Sequence, residues 1–199
     1  MRKCADMQDI FNYLICKPAY PHIYICTFAY PHICTFILHI QKMSIKAFTN
    51  SLIGENTYIV YDNSGECVII DPGMYTAFDQ NAVVRFIGHN QLKPILLLNT
   101  HCHYDHVFGN KFIFDNYGLK PQFHKGELEV LMAAPAWTQE MGLHYDLSPL
   151  PDVYLPESGT VTFGQTTFEL IFAPGHSPAH LCFYNRKGNF LVGGDVLFR

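Results

Sequence analysis

The chain has 199 residues, 49% of them hydrophobic and only 15% charged, which is enough apolar mass for a buried core and argues against a disordered chain. The basic residues, 13 Lys and Arg against 17 Asp and Glu, are scattered singly. No stripe of them can neutralise a row of phosphates, so the reading excludes a nucleic-acid partner.

The first 42 residues differ from the rest. Ala19-Tyr20-Pro21-His22-Ile23 returns as Ala29-Tyr30-Pro31-His32-Ile33, and a Cys-Thr-Phe triplet follows each copy. One reading is a metal-binding or membrane-associating arm that uses His22, His32 and the nearby cysteines. The reading preferred here is an atypical extension, foreign to the fold, with Met43 opening the domain. Asp6 and Asp9 follow Arg2-Lys3 too closely for a secretory signal, and Pro31, His32 and His39 interrupt the apolar stretch at 23–40. No membrane association is expected. Seven cysteines, an odd number without a CxxC pair, point to a reducing compartment, and the cytoplasm is the expected location.

From Met43 onward, residues 44–49, 57–62 and 66–71 have the pattern of consecutive strands, with Asn63-Ser64-Gly65 as a hairpin turn. Asp71-Pro72-Gly73 then breaks the chain. Thr76 and Asp79 cap a helix expected over 77–90, with Phe78, Ala82, Val83, Phe86 and Ile87 as its apolar stripe. The continuously apolar run 94–99 fits a buried parallel strand. Helices are expected around 109–117 and over 127–133, and strands over 160–163, 166–173, 180–185 and 189–192. Strands mixed with helices throughout indicate α/β architecture, sheets with helices outside.

The densest chemical signal follows the apolar strand: Thr100-His101-Cys102-His103-Tyr104-Asp105-His106. Imidazole and carboxylate are ligands for zinc, iron or manganese. If the backbone stays extended, a period of two puts His101, His103 and Asp105 on one side, and His106 joins as the chain turns. Cys102 then points the other way, as a buried thiol. Two more strand ends carry one ligand-type residue beside glycine, Pro174-Gly175-His176 and Gly193-Gly194-Asp195. His180 and His124 have no supporting motif and are read as packing residues. Ser177 cannot be an elbow nucleophile, because Pro178 lacks the N–H such a site requires.

These motifs, with Glu55-Asn56-Thr57-Tyr58 and Ile70-Asp71-Pro72-Gly73 before them, resemble the metallo-β-lactamase superfamily, most closely its glyoxalase II-like thioester hydrolases. The resemblance runs from about Met43 to Arg199. It implies an αββα sandwich and two metal sites, with Zn2+ expected and iron or manganese as alternatives. His101, His103 and His176 would hold the first metal, Asp105 and His106 the second, and Asp195 would bridge them. Asp71 would orient the ligand loop by hydrogen bonding. The implied chemistry is hydrolysis of a small-molecule substrate, most simply a thioester, by water that the metal acidifies, with Asp105 orienting that water. The resemblance also implies a further histidine for the second metal, on a loop beyond Asp195. The domain at 43–199 is therefore read as lacking its C-terminal part and its second site as incomplete. A lactonase, a β-lactamase, an iron sulfur-dioxygenase and a truncated non-catalytic metal-binding domain are the alternatives on the same fold.

Overall fold

The computed structural model describes residues 43–196. The aromatic repeat and the apolar stretch at 23–40 lie outside the described residues. Among the described residues, no helix is long and apolar enough to cross a membrane.

Two sheets form the centre. Strands β1 (Ser44–Thr49), β2 (Asn56–Tyr61) and β3 (Glu66–Ile70) run antiparallel as a meander. Helix α1 (Ala77–His89) then crosses over to β4 (Lys93–Leu98), which pairs parallel with β3. Helices α2 (Tyr104–Val107) and α3 (Asn110–Tyr117) lead to the two-residue β5 (Pro121–Gln122), which closes a first sheet of order β1-β2-β3-β4-β5. Helix α4 (Leu128–Glu140) and a long loop precede the second sheet. That sheet is antiparallel, in the order β6 (Ser158–Phe163), β7 (Thr166–Phe172), β8 (Leu181–Asn185), β9 (Phe190–Val192).

The main core lies between the sheets. Val60, Val68, Ile70 and Leu98 meet Phe163, Phe168, Leu170, Leu181, Phe183 and Val192. On the other face of the first sheet, Ile59, Ile69 and Leu97 pack with Val83 and Ile87 of α1 and Ile113 of α3. Strands β3 and β4 are thus covered on both faces, which is why their sequences are apolar runs rather than alternations.

Two helical expectations change. Phe78, placed on the apolar stripe of α1, is 80% exposed. Its neighbour Asp79 faces inward instead, because its carboxylate takes hydrogen bonds from Thr76 Oγ1 and Ser51 Oγ, each at 2.7 Å. Helix α4 does not stop at Ala133, because its backbone continues through Pro135 to Glu140. A proline normally marks a helix end, and here packing overrides it.

The ends of β3, β4, β7 and β9 gather at one edge of the sandwich. There the Leu181 N–H donates to the Thr100 carbonyl at 2.8 Å and joins the two sheets. The opposite edge is held by Asp62, at the β2–β3 turn. Its buried carboxylate accepts from Ser64 N and Oγ and, across the sheets, from Gln165 N and Thr166 Oγ1, both at 2.7 Å. Burial pushes the Asp62 carboxyl up, but the bonds from Ser64, Thr166 and Gln165 outweigh it and hold the group below the usual carboxylate range. A lowered folded-state pKa gives stability that is complete above about pH 5 and lost as pH falls through about 4 and below. Asp62→Asn is expected to cost about 1.5–3 kcal/mol at pH 7, with a smaller loss at pH 3. Urea unfolding at both pH values measures it, and an equal loss at each would contradict the clamp.

Candidate metal centre

The site is assembled from four strand ends. After β4 the chain stays extended through His103, whose φ of −62° and ψ of 149° make it the N-cap of α2. His101 and His103 therefore share one side, as the period of two requires. Cys102 points the other way, into a cluster with Val107, Phe123 and Leu131. Asp105 departs from the extended expectation. It lies in the first turn of α2 with His106, so a helical turn rather than strand pleat aims both. His176 comes from the loop after β7, and Asp195 from the 3-10 turn Gly194–Val196 after β9.

Five of the six candidate ligand residues fall into sets of converging ligand atoms, and Asp105 lies beside them without joining one. His101 Nε2 lies 3.0 Å from His103 Nδ1, and His103 Nδ1 lies 2.9 Å from His176 Nε2. Three nitrogens bound tetrahedrally to one zinc at about 2.05 Å would stand about 3.3 Å apart, so the trio suits a single ion. His106 Nε2 faces Asp195 Oδ1 at 3.2 Å and Asp105 Oδ2 at 3.8 Å. The second Asp195 oxygen reaches to 3.4 Å from His176 Nε2, which puts Asp195 between the two groups. Ligand-type atoms lie within 4.8 Å of one another in three sets: His101, His103, His176; His101, His106, Asp195; and Glu55, Asp71, His106.

The fit to a cation also shows in what is left unsatisfied. Both ring nitrogens of His106 are buried and make no well-aligned hydrogen bond, although carboxylate oxygens surround them at 3.2 to 3.8 Å. Buried polar atoms are rarely left so. An ion between Nε2 and the carboxylates would satisfy them.

Behind the ligands sits Asp71, buried, with a positive φ of 49°. Its Oδ1 accepts from the Thr100 N–H and its Oδ2 from Thr100 Oγ1, both at 2.7 Å, while Oδ2 lies 3.2 Å from His106 Nδ1. Thr100 has one hydroxyl hydrogen, and Asp71 takes it. Toward His101 Nδ1, 3.1 Å away, the same oxygen must accept. His101 is thereby fixed with its proton on Nδ1 and a free lone pair on Nε2, the atom that faces His103 and His176.

Burial and the surrounding imidazoles hold His101 far below its ordinary pKa, and burial with His176 lowers His103. Both are in the neutral form that binds metals. Burial also pushes His106 down, but Asp195, Asp71 and Glu55 outweigh it and raise it well above the usual value. Its proton stands where a cation would.

His180 and His124 keep the packing roles expected of them. The His180 ring stacks on His101 at 4.8 Å and belongs to no ligand set. Gly194, with a φ of 50°, crosses so close above that a Cβ would come 2.6 Å from His180 Nε2. His124 Nδ1 accepts from Gly126 N and caps the turn before α4. Two neighbours carry no sequence signal. Trp137, the single tryptophan of the chain, stands edge-on to His103 with centroids 6.1 Å apart. Glu127, expected only as the start of a helix, is fully buried between the ligand loops.

A family model described as the metallo-beta-lactamase superfamily matches residues 52–199. Hydroxyacylglutathione hydrolase of Pectobacterium atrosepticum is 30% identical over 156 residues, covering 78% of this chain and 51% of that protein. The chain spans about half the length of such relatives. The Bacillus subtilis protein named as probable metallo-hydrolase YqgX is 27% identical over 74% of this chain and 68% of its own length. Among solved structures, the BLEG-1 B3 metallo-beta-lactamase superposes with a TM-score of 0.70 at 30% identity, covering 78% of this chain and 74% of that one. TTHA1623 in a di-iron-bound form gives 0.67 at 31% identity, over 77% and 73%. The chain belongs to the metallo-β-lactamase superfamily and has its metal-binding fold, two sheets with helices packed outside.

Asp71→Ala removes two hydrogen bonds from Thr100 and places a Cβ residue without a polar side chain at positive φ. A loss of about 3 kcal/mol is expected, and of less than half that for Asp71→Asn, since Asn tolerates this backbone and keeps one acceptor. Urea unfolding in the presence of a chelator compares them. Equal losses would show that the backbone conformation and the Thr100 contacts do not matter.

Proposed function

We propose that this member of the superfamily is a metal-dependent hydrolase of acyl thioesters, with a first metal on His101, His103 and His176. Asp105 and His106 hold a second, and Asp195 is shared by both. The placing of His103 Nδ1 3.0 Å from His101 Nε2 and 2.9 Å from His176 Nε2, on a loop 73 residues away, carries the reading. When bound, the metal supplies a Lewis acid for the carbonyl oxygen and a water acidified toward neutral pH.

The chain's own residues do the rest. His101 and His103 present neutral nitrogens, and Thr100 and Asp71 set the direction of His101 through one hydrogen-bond chain. Asp105, whose side chain is 19% exposed and lies 3.8 Å from His106 Nε2, accepts a proton from the attacking water and orients its lone pair. Asp71 holds the back of His106. Trp137 forms a wall beside His103 against which an apolar part of a substrate rests. Among the described residues, the ligand sets contain only imidazoles and carboxylates. A thiolate departs readily as an anion and needs no proton donor, which suits a thioester as the substrate class. The hydroxyacylglutathione hydrolases among the relatives support the same class.

Two measurements test this. The chain is expected to bind zinc with a change in Trp137 fluorescence, and the double substitution His101→Ala, His103→Ala should abolish both the binding and the signal. Metal content unchanged by that substitution would overturn the ligand set. The zinc- or iron-loaded protein should turn over a small acyl thioester with a kcat/KM at least about tenfold above that for a β-lactam or a phosphodiester, about 1.4 kcal/mol of barrier. Faster turnover of the β-lactam would move the reading toward the activity that BLEG-1 is named for.

A further inference from the structure

We infer that Glu127 is a positioning residue that locks the loop of His101 and His103 to the loop of His176, so that the two present their nitrogens to one ion. The inference rests on the assignment of those three histidines as ligands.

Glu127 is 0% exposed, at the turn that opens α4. Its Oε2 accepts at 3.0 Å from the backbone N–H of Cys102, the residue between the first two histidines. Its Oε1 accepts at 2.7 Å from the N–H of Ala179, three residues past His176. The hydroxyl of Ser177, next to His176, reaches both oxygens, at 2.6 and 2.8 Å. One carboxylate thus grips both loops. All three partners are donors, so only an acceptor-only side chain satisfies them together.

The anchor is itself fixed. A Cβ on Gly126 would come 2.6 Å from that of Ala179, so the turn carrying Glu127 lies directly against the loop it holds. Folding calls for an acceptor here, since the Cys102 and Ala179 N–H groups and the Ser177 hydroxyl would otherwise be buried without a partner. The metal-ligand geometry adds a second demand, that this acceptor hold the two loops at a fixed separation. To share one ion, the three rings must keep the spacing seen here, with His103 Nδ1 3.0 Å from His101 Nε2 and 2.9 Å from His176 Nε2. Metal–ligand bonds tolerate only about 0.2 Å of error, so a loop that relaxed outward would lose affinity.

Glu127→Gln keeps the shape but turns one acceptor into an NH2 donor, which must then face either Cys102 N–H or Ala179 N–H. Ser177→Ala deletes one donor and leaves the carboxylate. The test is zinc affinity by chelator competition, with the visible spectrum of the Co2+-loaded protein, for both variants. Asp62→Asn, at the far edge of the sandwich, serves as the control for general destabilisation.

Glu127→Gln is expected to bind zinc at least about tenfold more weakly with a shifted cobalt spectrum, and Ser177→Ala to move the same way by less. Asp62→Asn should bind as the unaltered protein does. Unchanged zinc affinity and cobalt spectra in both site variants would overturn the inference, as would an equal loss in Asp62→Asn. If Glu127→Gln does not fold, Ser177→Ala decides by the same criteria. Should the His101→Ala, His103→Ala protein keep its metal, the ligand assignment fails. Should it lose metal while Glu127→Gln and Ser177→Ala do not, only the role of Glu127 fails.

Discussion

Every polar group of Thr100 is in use, and the rest of the site hangs on that residue. Its N–H and hydroxyl donate to Asp71, its carbonyl accepts from Leu181 at the edge of the second sheet, and its hydroxyl oxygen faces His101 Nδ1. These bonds tie the end of β3, the end of β4 and the start of β8 to a single residue. A ligand loop on an open strand end would ordinarily be mobile, because few backbone groups there have partners. Here the loop is pinned before it reaches its first histidine. The same contacts select the histidine's tautomer, so folding and ligand chemistry are settled by one set of hydrogen bonds.

The electrostatics follow from placing many polar groups in a buried edge. Burial keeps His101 and His103 neutral, while Asp195, Asp71 and Glu55 hold a proton on His106. The first triad therefore includes two uncharged imidazoles, and the second position surrounds His106 with carboxyl groups. A divalent ion satisfies both for different reasons. It meets converging lone pairs in the first and replaces a proton among anions in the second. Glu55, nearly buried and raised well above the usual carboxylate range chiefly by burial, completes the rear of the second position with Asn50 as its hydrogen-bond donor.

The candidate ligands were legible in the sequence because each follows a strand end and has a residue type with few other reasons to cluster. His101, His103, Asp105 and His106 fall within six residues, and glycines beside His176 and Asp195 mark sharp turns. The burial of β4 was legible for a related reason. Its run Leu96-Leu97-Leu98 is apolar on both faces, which fits a strand in the middle of a covered sheet. What did not show were choices made by tertiary contact. Phe78 obeys the helical period yet faces solvent, since Asp79 finds Ser51 and Thr76. Asp105 obeys the strand period yet belongs to a helix that begins one residue earlier. Glu127 reads as an ordinary acid before a helix, because its partners lie 25 and 50 residues away or more.

That contrast has a physical basis. A ligand must carry a particular atom, so its residue type announces it. A residue that holds a ligand in place needs only an acceptor at the right point, and any region of the chain can bring one there. In this fold three buried aspartate and glutamate side chains do that work between the sheets: Asp62 at one edge, Asp71 and Glu127 at the other. Each accepts from segments distant in sequence, and each would be an expensive buried charge if its donors moved away. Their cost is the source of their precision, because a small displacement of either loop leaves a carboxylate without partners. Trp137 stands apart from this framework, exposed beside His103. On the function proposed above, the surface that meets the substrate can therefore change while the carboxylates that fix the loops stay in place.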